Sequence, residues 1–109
     1  MLNIVNGIIQ LTRGDTARLT VDVVNREGET YTPNPSDTLT LTVKKTVYDA
    51  EPVFQKVLED ENTFIINPSD TEKMTFKKYV YDVQLTMANG DVYTIIEPHP
   101  FEILSEVTY

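Results

Sequence analysis

Few residues in this 109-residue chain are able to do acid–base or ligand chemistry: one histidine, 17 carboxylates and no cysteine. A nucleophile–base–orienter arrangement would have a single possible imidazole base, His99. It stands between Pro98 and Pro100, which is the setting of a partly exposed corner rather than of a cleft floor. A zinc site needs more soft ligands than one imidazole supplies. The carboxylates Glu59, Asp60 and Glu61 cluster at an expected hairpin tip, with Asp49 and Glu51 in the loop before it. Calcium asks for roughly six or more convergent oxygens at defined loop spacing. No such spacing is present, so these acids read as a solvated rim. Asp82 differs, because Tyr81 and Val83 flank it inside an alternating run. Pairing with Lys78 or Arg18, or a bond to a neighbouring strand's hydroxyls, gives it a structural role. No catalytic, cofactor-binding or metal-binding residue is assigned, and the chain is not expected to be an enzyme.

The elements that would position these groups are organised around Lys78 to Ile96. Tyr79, Tyr81, Val83, Leu85 and Met87 take the odd positions, and Asp82, Gln84 and Thr86 take even ones. Period-2 alternation marks a strand with one face on a core and one on water. Asn89-Gly90 suits a two-residue type I′ turn, and Asp91 to Ile96 returns as the partner. That loop would set Met87 against Val92, Leu85 against Thr94 and Val83 against Ile96. Tyr93 and Ile95 would then point outward near Val80, and these three residues form a candidate interface with another subunit. A bulge or register slip would instead turn Tyr93 inward.

Elsewhere the alternation recurs at Ala17 to Val24 and at Thr38 to Val47, with an edge strand around Ile8 to Leu11. Arg13-Gly14-Asp15 is a turn. It is also an integrin-binding triplet in some extracellular proteins, but a glycine-centred turn explains it more simply. Asn25 to Gly28 turns the chain into a short return strand, Glu29 to Thr32, and Pro33 to Asp37 is a loop. Val53 to Glu59 and Asn62 to Ile66 read as a second hairpin. Asn67-Pro68-Ser69-Asp70 has the cap, first-position proline and first-turn acid of a helix start, predicting one short turn near 68–74. Glu97 to Pro100 is a proline-bracketed corner, and Phe101 to Val107 closes the sheet. The letters Asn-Pro-Ser-Asp-Thr occur twice, at 34–38 and 67–71. Their dissimilar flanks read as recurring turn chemistry rather than an internal repeat.

Length indicates one domain, 1–109. Seven to eight short strands with frequent turns and no long helical period indicate an all-β fold. The first choice is an immunoglobulin-like Greek-key sandwich, with Tyr81 in the place of the tyrosine that bonds back to the preceding corner. Another Greek-key sandwich is the second. The net charge of −8 repels phosphate backbones, and no run of Lys or Arg offsets it; nucleic acid is not an expected partner. Met1 to Leu11 lacks the pattern of a signal peptide, and no window has the length of a membrane span. The expected setting is a cytoplasm, without membrane association.

The stretches Asp70-Thr71, Tyr79-Val80-Tyr81-Asp82-Val83-Gln84-Leu85, Asn89-Gly90-Asp91-Val92-Tyr93-Thr94, Phe101-Glu102-Ile103 and Glu106-Val107-Thr108 resemble a group of small β-sandwich structural proteins. Tailed phages and prophages of Gram-positive bacteria encode that group, and the N-terminal module of phage baseplate upper proteins is similar. The early Arg13-Gly14-Asp15-Thr16 fits the Gly-Asp-Thr turn that often opens the group. Where many members carry a glycine before the Tyr-x-Tyr-Asp run, this chain has Lys77-Lys78. The resemblance implies a non-enzymatic virion component, made in the bacterial cytoplasm and associated with tail or baseplate. Its partners would be other phage structural proteins, with a homo-oligomer possible, and it brings no catalytic residue. The alternative reading is a module that binds a cell-surface ligand or glycan, for which six tyrosines offer stacking platforms.

Overall fold

A computed structural model describes residues 2–5, 7–24, 27–31, 35–59, 62–74 and 78–105. Among these the chain is all-β apart from one helical turn. Its strands in order are β1 (Leu2–Val5), β2 (Ile8–Thr12), β3 (Ala17–Thr20), β4 (Val23–Val24), β5 (Thr30–Tyr31), β6 (Thr38–Lys44), β7 (Phe54–Glu59), β8 (Thr63–Ile66), β9 (Lys78–Thr86) and β10 (Val92–Leu104). Helix α1 (Pro68–Thr71) lies between β8 and β9. Six strands form one mixed sheet in the order β1-β2-β10-β9-β6-β7, while β3 pairs with β8 and β4 with β5. Only the contact of β10 with β2 is parallel.

Alternation decides which face of each strand meets the core. Leu39, Leu41 and Val43 of β6 and Tyr79, Tyr81, Val83 and Leu85 of β9 are buried, with half-buried residues between them. Ala17, Leu19, Val21 and Val23 are buried in turn, and their even neighbours are exposed. Phe64 and Ile66 of β8 join the same cluster from the β3 side. Three rings lock its centre. Phe101 meets Phe54 edge-on at 5.9 Å and Tyr81 edge-on at 6.2 Å, separations in the favourable range for aromatic pairs.

Several expectations are corrected. The hairpin of Val53–Glu59 with Asn62–Ile66 does not form: β7 pairs with β6, and β8 pairs with β3 across the core. The local spacing is that of a hairpin, yet Phe64 and Ile66 are buried from the opposite layer, so burial outweighs proximity. Strand β2 is interior rather than an edge, because β1 flanks it on one side and β10 on the other. The strand read through Val47 ends at Lys44, and residues 45–53 form a loop. The expected corner at Glu97–Pro100 is part of one long strand, β10, whose register shifts between Thr94 and Ile96 and again between Ile96 and His99. The turn at Asp60-Glu61 and the position of Val107 lie outside the described residues.

The turn at Asn89-Gly90 is also corrected. Gly90 N–H donates to Met87 O at 2.9 Å, and Met87 N–H donates to Asp91 O at 2.8 Å. Ala88, Asn89 and Gly90 therefore make a three-residue loop with Gly90 left-handed at φ 94, the G1-bulge solution rather than type I′. The register moves by one residue, setting Tyr93 against Leu85 and Val92 against Thr86. Only the Val83–Ile96 pair of the expected three is formed.

Short polar links hold the layers. Helix α1 starts at Pro68 after the Asn67 cap, and Asp70 reaches back to the Asn67 N–H at 2.7 Å. The fully buried Thr71 accepts from Gly14 N–H at 2.9 Å, which fastens the Arg13-Gly14-Asp15 turn to this helix. Tyr31 donates to the buried carboxylate of Asp37, and that bond raises the Tyr31 hydroxyl's pKa. The two Asn-Pro-Ser-Asp-Thr copies thus use their aspartates differently, one buried against a tyrosine and one capping a helix.

Tyr81 does not bond to the preceding corner. Its hydroxyl donates to Gly7 O at 2.5 Å, tying the β1–β2 turn to the central strand, and burial raises its pKa. Gly7 has φ 82, and a Cβ there would lie 2.6 Å from His99 Cδ2. Glycine is required twice over, for backbone sign and for space. Gly14, at φ 83, has open space around its Cβ position. We predict that Gly7→Ala costs more stability than Gly14→Ala, which should lose about 1 kcal/mol to the left-handed conformation alone. Denaturant titrations of both, and of Gly7→Ala with His99→Ala, should show a favourable coupling at position 7. Equal losses without coupling would mean that the imidazole simply moves aside.

Candidate binding groove on the outer sheet face

The outward residues of β6 and β9 are polar: Thr38, Thr40, Thr42 and Lys44 on one, Asp82, Gln84 and Thr86 on the other, with Val80 between Lys78 and Asp82. Register sets Thr42 opposite Asp82, Thr40 opposite Gln84 and Lys44 opposite Val80. On the far side of β6, Gln55 lies opposite Thr42 and donates to its hydroxyl at 2.9 Å. Such a face alone would be a flat, wetted sheet. Two departures from regularity give it walls.

The first is the loop 45–53, which turns back beside the strands. Asp49 binds the Thr46 N–H at 3.2 Å, Thr46 accepts from Tyr48 N–H at 3.3 Å, and Val53 N–H returns to Val43 O at 2.7 Å. The second is the irregular stretch of β10 at Pro98. Between them lies a cavity of about 320 Å³, lined by Thr42, Lys44, Gln55, Asp82 and Gln84 among others, with Val47, Pro52, Val80 and Pro98 as apolar walls. Its size is at the small end of ligand pockets.

Asp82 is the half-buried acid of this floor. Desolvation raises its carboxyl pKa, and the Lys44 ammonium partly offsets the rise. Lys44, diagonal to it across the β6–β9 ladder, is thus its cationic neighbour instead of the expected Lys78 or Arg18. Arg18 belongs to the other layer, opposite Ile65.

The three candidate interface residues are dispersed. Val80 lies on the outer face and lines the groove. Tyr93, now opposite inward-facing Leu85, is still 52% exposed. Ile95 sits at the first register shift and packs partly against the core. The register carries both a slip and a bulge here, yet Tyr93 remains exposed. His99 is half-buried opposite Tyr81, with its ring centroid 6.3 Å from that tyrosine's. Its Nδ1 lies 2.5 Å from Glu97 O, so Nδ1 carries the proton. Among the described residues no group of three or more His, Cys, Asp or Glu is placed to hold a metal ion, and no helix is long and apolar enough to cross a membrane.

The sequence pattern gives the groove's floor, since Thr42, Asp82 and Gln84 fall on the outward positions. Its walls depend on how loop 45–53 folds and on the shift at Pro98, neither of which alternation encodes. Compared with known proteins, the chain matches no protein-family model, no curated protein and no solved structure.

The sign of the Asp82 effect on stability follows from its raised pKa. Between the ordinary value of 3.8 and the higher folded value, the folded state binds more proton than the unfolded one. Stability therefore falls as pH rises through that window, and the penalty persists at neutral pH. Asp82→Asn should raise the melting temperature slightly at pH near 7, solvent screening keeping the gain small. The gain should shrink in acid and be lost at about pH 3 or below, where aspartate is largely protonated in both states. Thermal melts at the two pH values check this, and a neutral-pH loss would show that the carboxylate makes bonds worth more than its desolvation.

Proposed function

We propose that this chain is a non-enzymatic structural protein of a phage or prophage particle, associated with tail or baseplate, acting through protein–protein contacts. The resemblance of its Tyr79–Leu85 and Asn89–Thr94 stretches to such proteins gives the setting. The fold read here is an immunoglobulin-like Greek key. Supporting it, β10-β9-β6-β7 follows the order G-F-C-C′ of a variable-type sheet, and β3 against β8 corresponds to its B–E pair.

The observation that carries the contact reading is the open edge at β7. This strand ends the six-stranded sheet, and its unpaired backbone groups are a template for another strand. Proteins that keep such edges apart often place lysine there. The lysine of β7, Lys56, is instead engaged with Asp70 at 2.7 Å, and Val57 beside it is 56% exposed. A strand from a neighbouring subunit would add to this edge by main-chain pairing, with Val57 as its apolar contact. The dispersed trio Val80, Tyr93 and Ile95 offers no single patch, so the edge takes precedence over it.

Light scattering over a concentration series, on the parent, Val57→Lys and Tyr93→Glu, tests the reading. The parent should associate, Val57→Lys should be monomeric, and Tyr93→Glu should behave as the parent. Val57→Lys is a surface change and should keep stability within about 0.5 kcal/mol. Loss of association only in Tyr93→Glu would move the contact to the hairpin, and a parent monomeric throughout would remove self-docking at β7.

A further inference from the structure

The groove on the outer face takes Gln55 from β7 but does not depend on the edge contact. Its lining narrows the chemistry of what it can hold. An anion would meet the Asp82 carboxylate on a chain of net charge −8. A bare metal cation would find one carboxylate there beside the Lys44 ammonium, far short of a ligand set. A wholly apolar molecule would strip water from Thr42, Gln55, Gln84, Asp82 and Lys44 without returning hydrogen bonds, which is costly.

A neutral molecule with hydroxyls that both donate and accept, and with apolar C–H surface between them, meets each of these demands. We propose that the groove is a binding site for a neutral saccharide, its hydroxyl edge on Asp82, Gln84 and Lys44 and its C–H face against Val80 and Pro98. Asp82 is acceptor-only when ionised and can take two vicinal hydroxyls. Lys44 is donor-only, and the Gln84 amide supplies one acceptor and two donors. Floor and wall together form an amphipathic surface that matches a sugar ring. The desolvation of Asp82 supports this, since a carboxylate already short of water gains more from incoming hydroxyl donors. The groove lacks a stacking aromatic floor, so binding should be weak.

Amide-resolved NMR titration with N,N′-diacetylchitobiose, lactose and maltose, with glucuronate as an anionic control, tests the site. At least one neutral disaccharide should give saturable shifts centred on Thr42, Gln55, Asp82 and Gln84, with glucuronate weaker. The double variant Asp82→Ala/Gln84→Ala should bind about tenfold or more weakly. Ala50→Leu, which pushes an aliphatic side chain into the groove from an exposed lining position and leaves the floor intact, should weaken binding as well and covers the case in which the double variant misfolds. Absence of saturable shifts with all three sugars at tens of millimolar overturns the proposal. So do shifts centred elsewhere, or binding left unchanged by both Ala50→Leu and the double variant.

Discussion

The structure depends on β10 pairing with two neighbours that make different demands. Along one side it runs antiparallel to β9 from Val92 to Glu102; along the other it runs parallel to β2 from Phe101 to Leu104. Its first half starts from a loop that places Tyr93 on the inner side, and its second half must place Phe101 and Ile103 there. Two register shifts reconcile the halves. The first, at Ile95, moves the inner position to Ile96 opposite Val83, and the second restores it by His99 opposite Tyr81. Each extra residue bends the strand and strengthens its twist. Pro98 lies within the second shift and Pro100 just after it, ahead of the β2 ladder, where a missing N–H costs least.

That second shift also explains the chain's one histidine. Placed inward by the register, His99 fits only because position 7 carries no Cβ, and the same turn offers its carbonyl to Tyr81. Gly7, Tyr81 and His99 form one joint between the N-terminal hairpin and the core sheet. A residue type that suggests acid–base chemistry is here a space-filling ring whose polar Nδ1 is satisfied by its own backbone. The proline bracket that suggested an exposed corner reflects the strand irregularity itself.

How much of this was legible depends on whether a feature is local. The alternation at Ala17–Val24, Leu39–Val43 and Tyr79–Leu85 named its buried residues correctly, because period 2 is a property of consecutive residues. The Asn67-Pro68-Ser69-Asp70 helix start was legible for the same reason. Strand partners were not. Nothing between Leu58 and Phe64 distinguishes a hairpin from a crossing to the other layer, and burial of Phe64 with Ala17 and Leu19 decides it. The hairpin loop missed by one residue because Asn-Gly suits both a two-residue turn and the end of a three-residue one. That one residue set Tyr93 opposite inward-facing Leu85 instead of Thr86, although its side chain is still exposed.

The candidate groove follows the same division. Thr42, Asp82 and Gln84 are outward by alternation, and their polarity is what an outward position ordinarily carries. Convergence is added by the loop 45–53 on one side and by Pro98 on the other. The irregularity that lets β10 serve β9 and β2 together therefore also walls a polar cavity on the opposite face. Val80 and Pro98 set beside a desolvated Asp82 make an apolar margin to a polar floor.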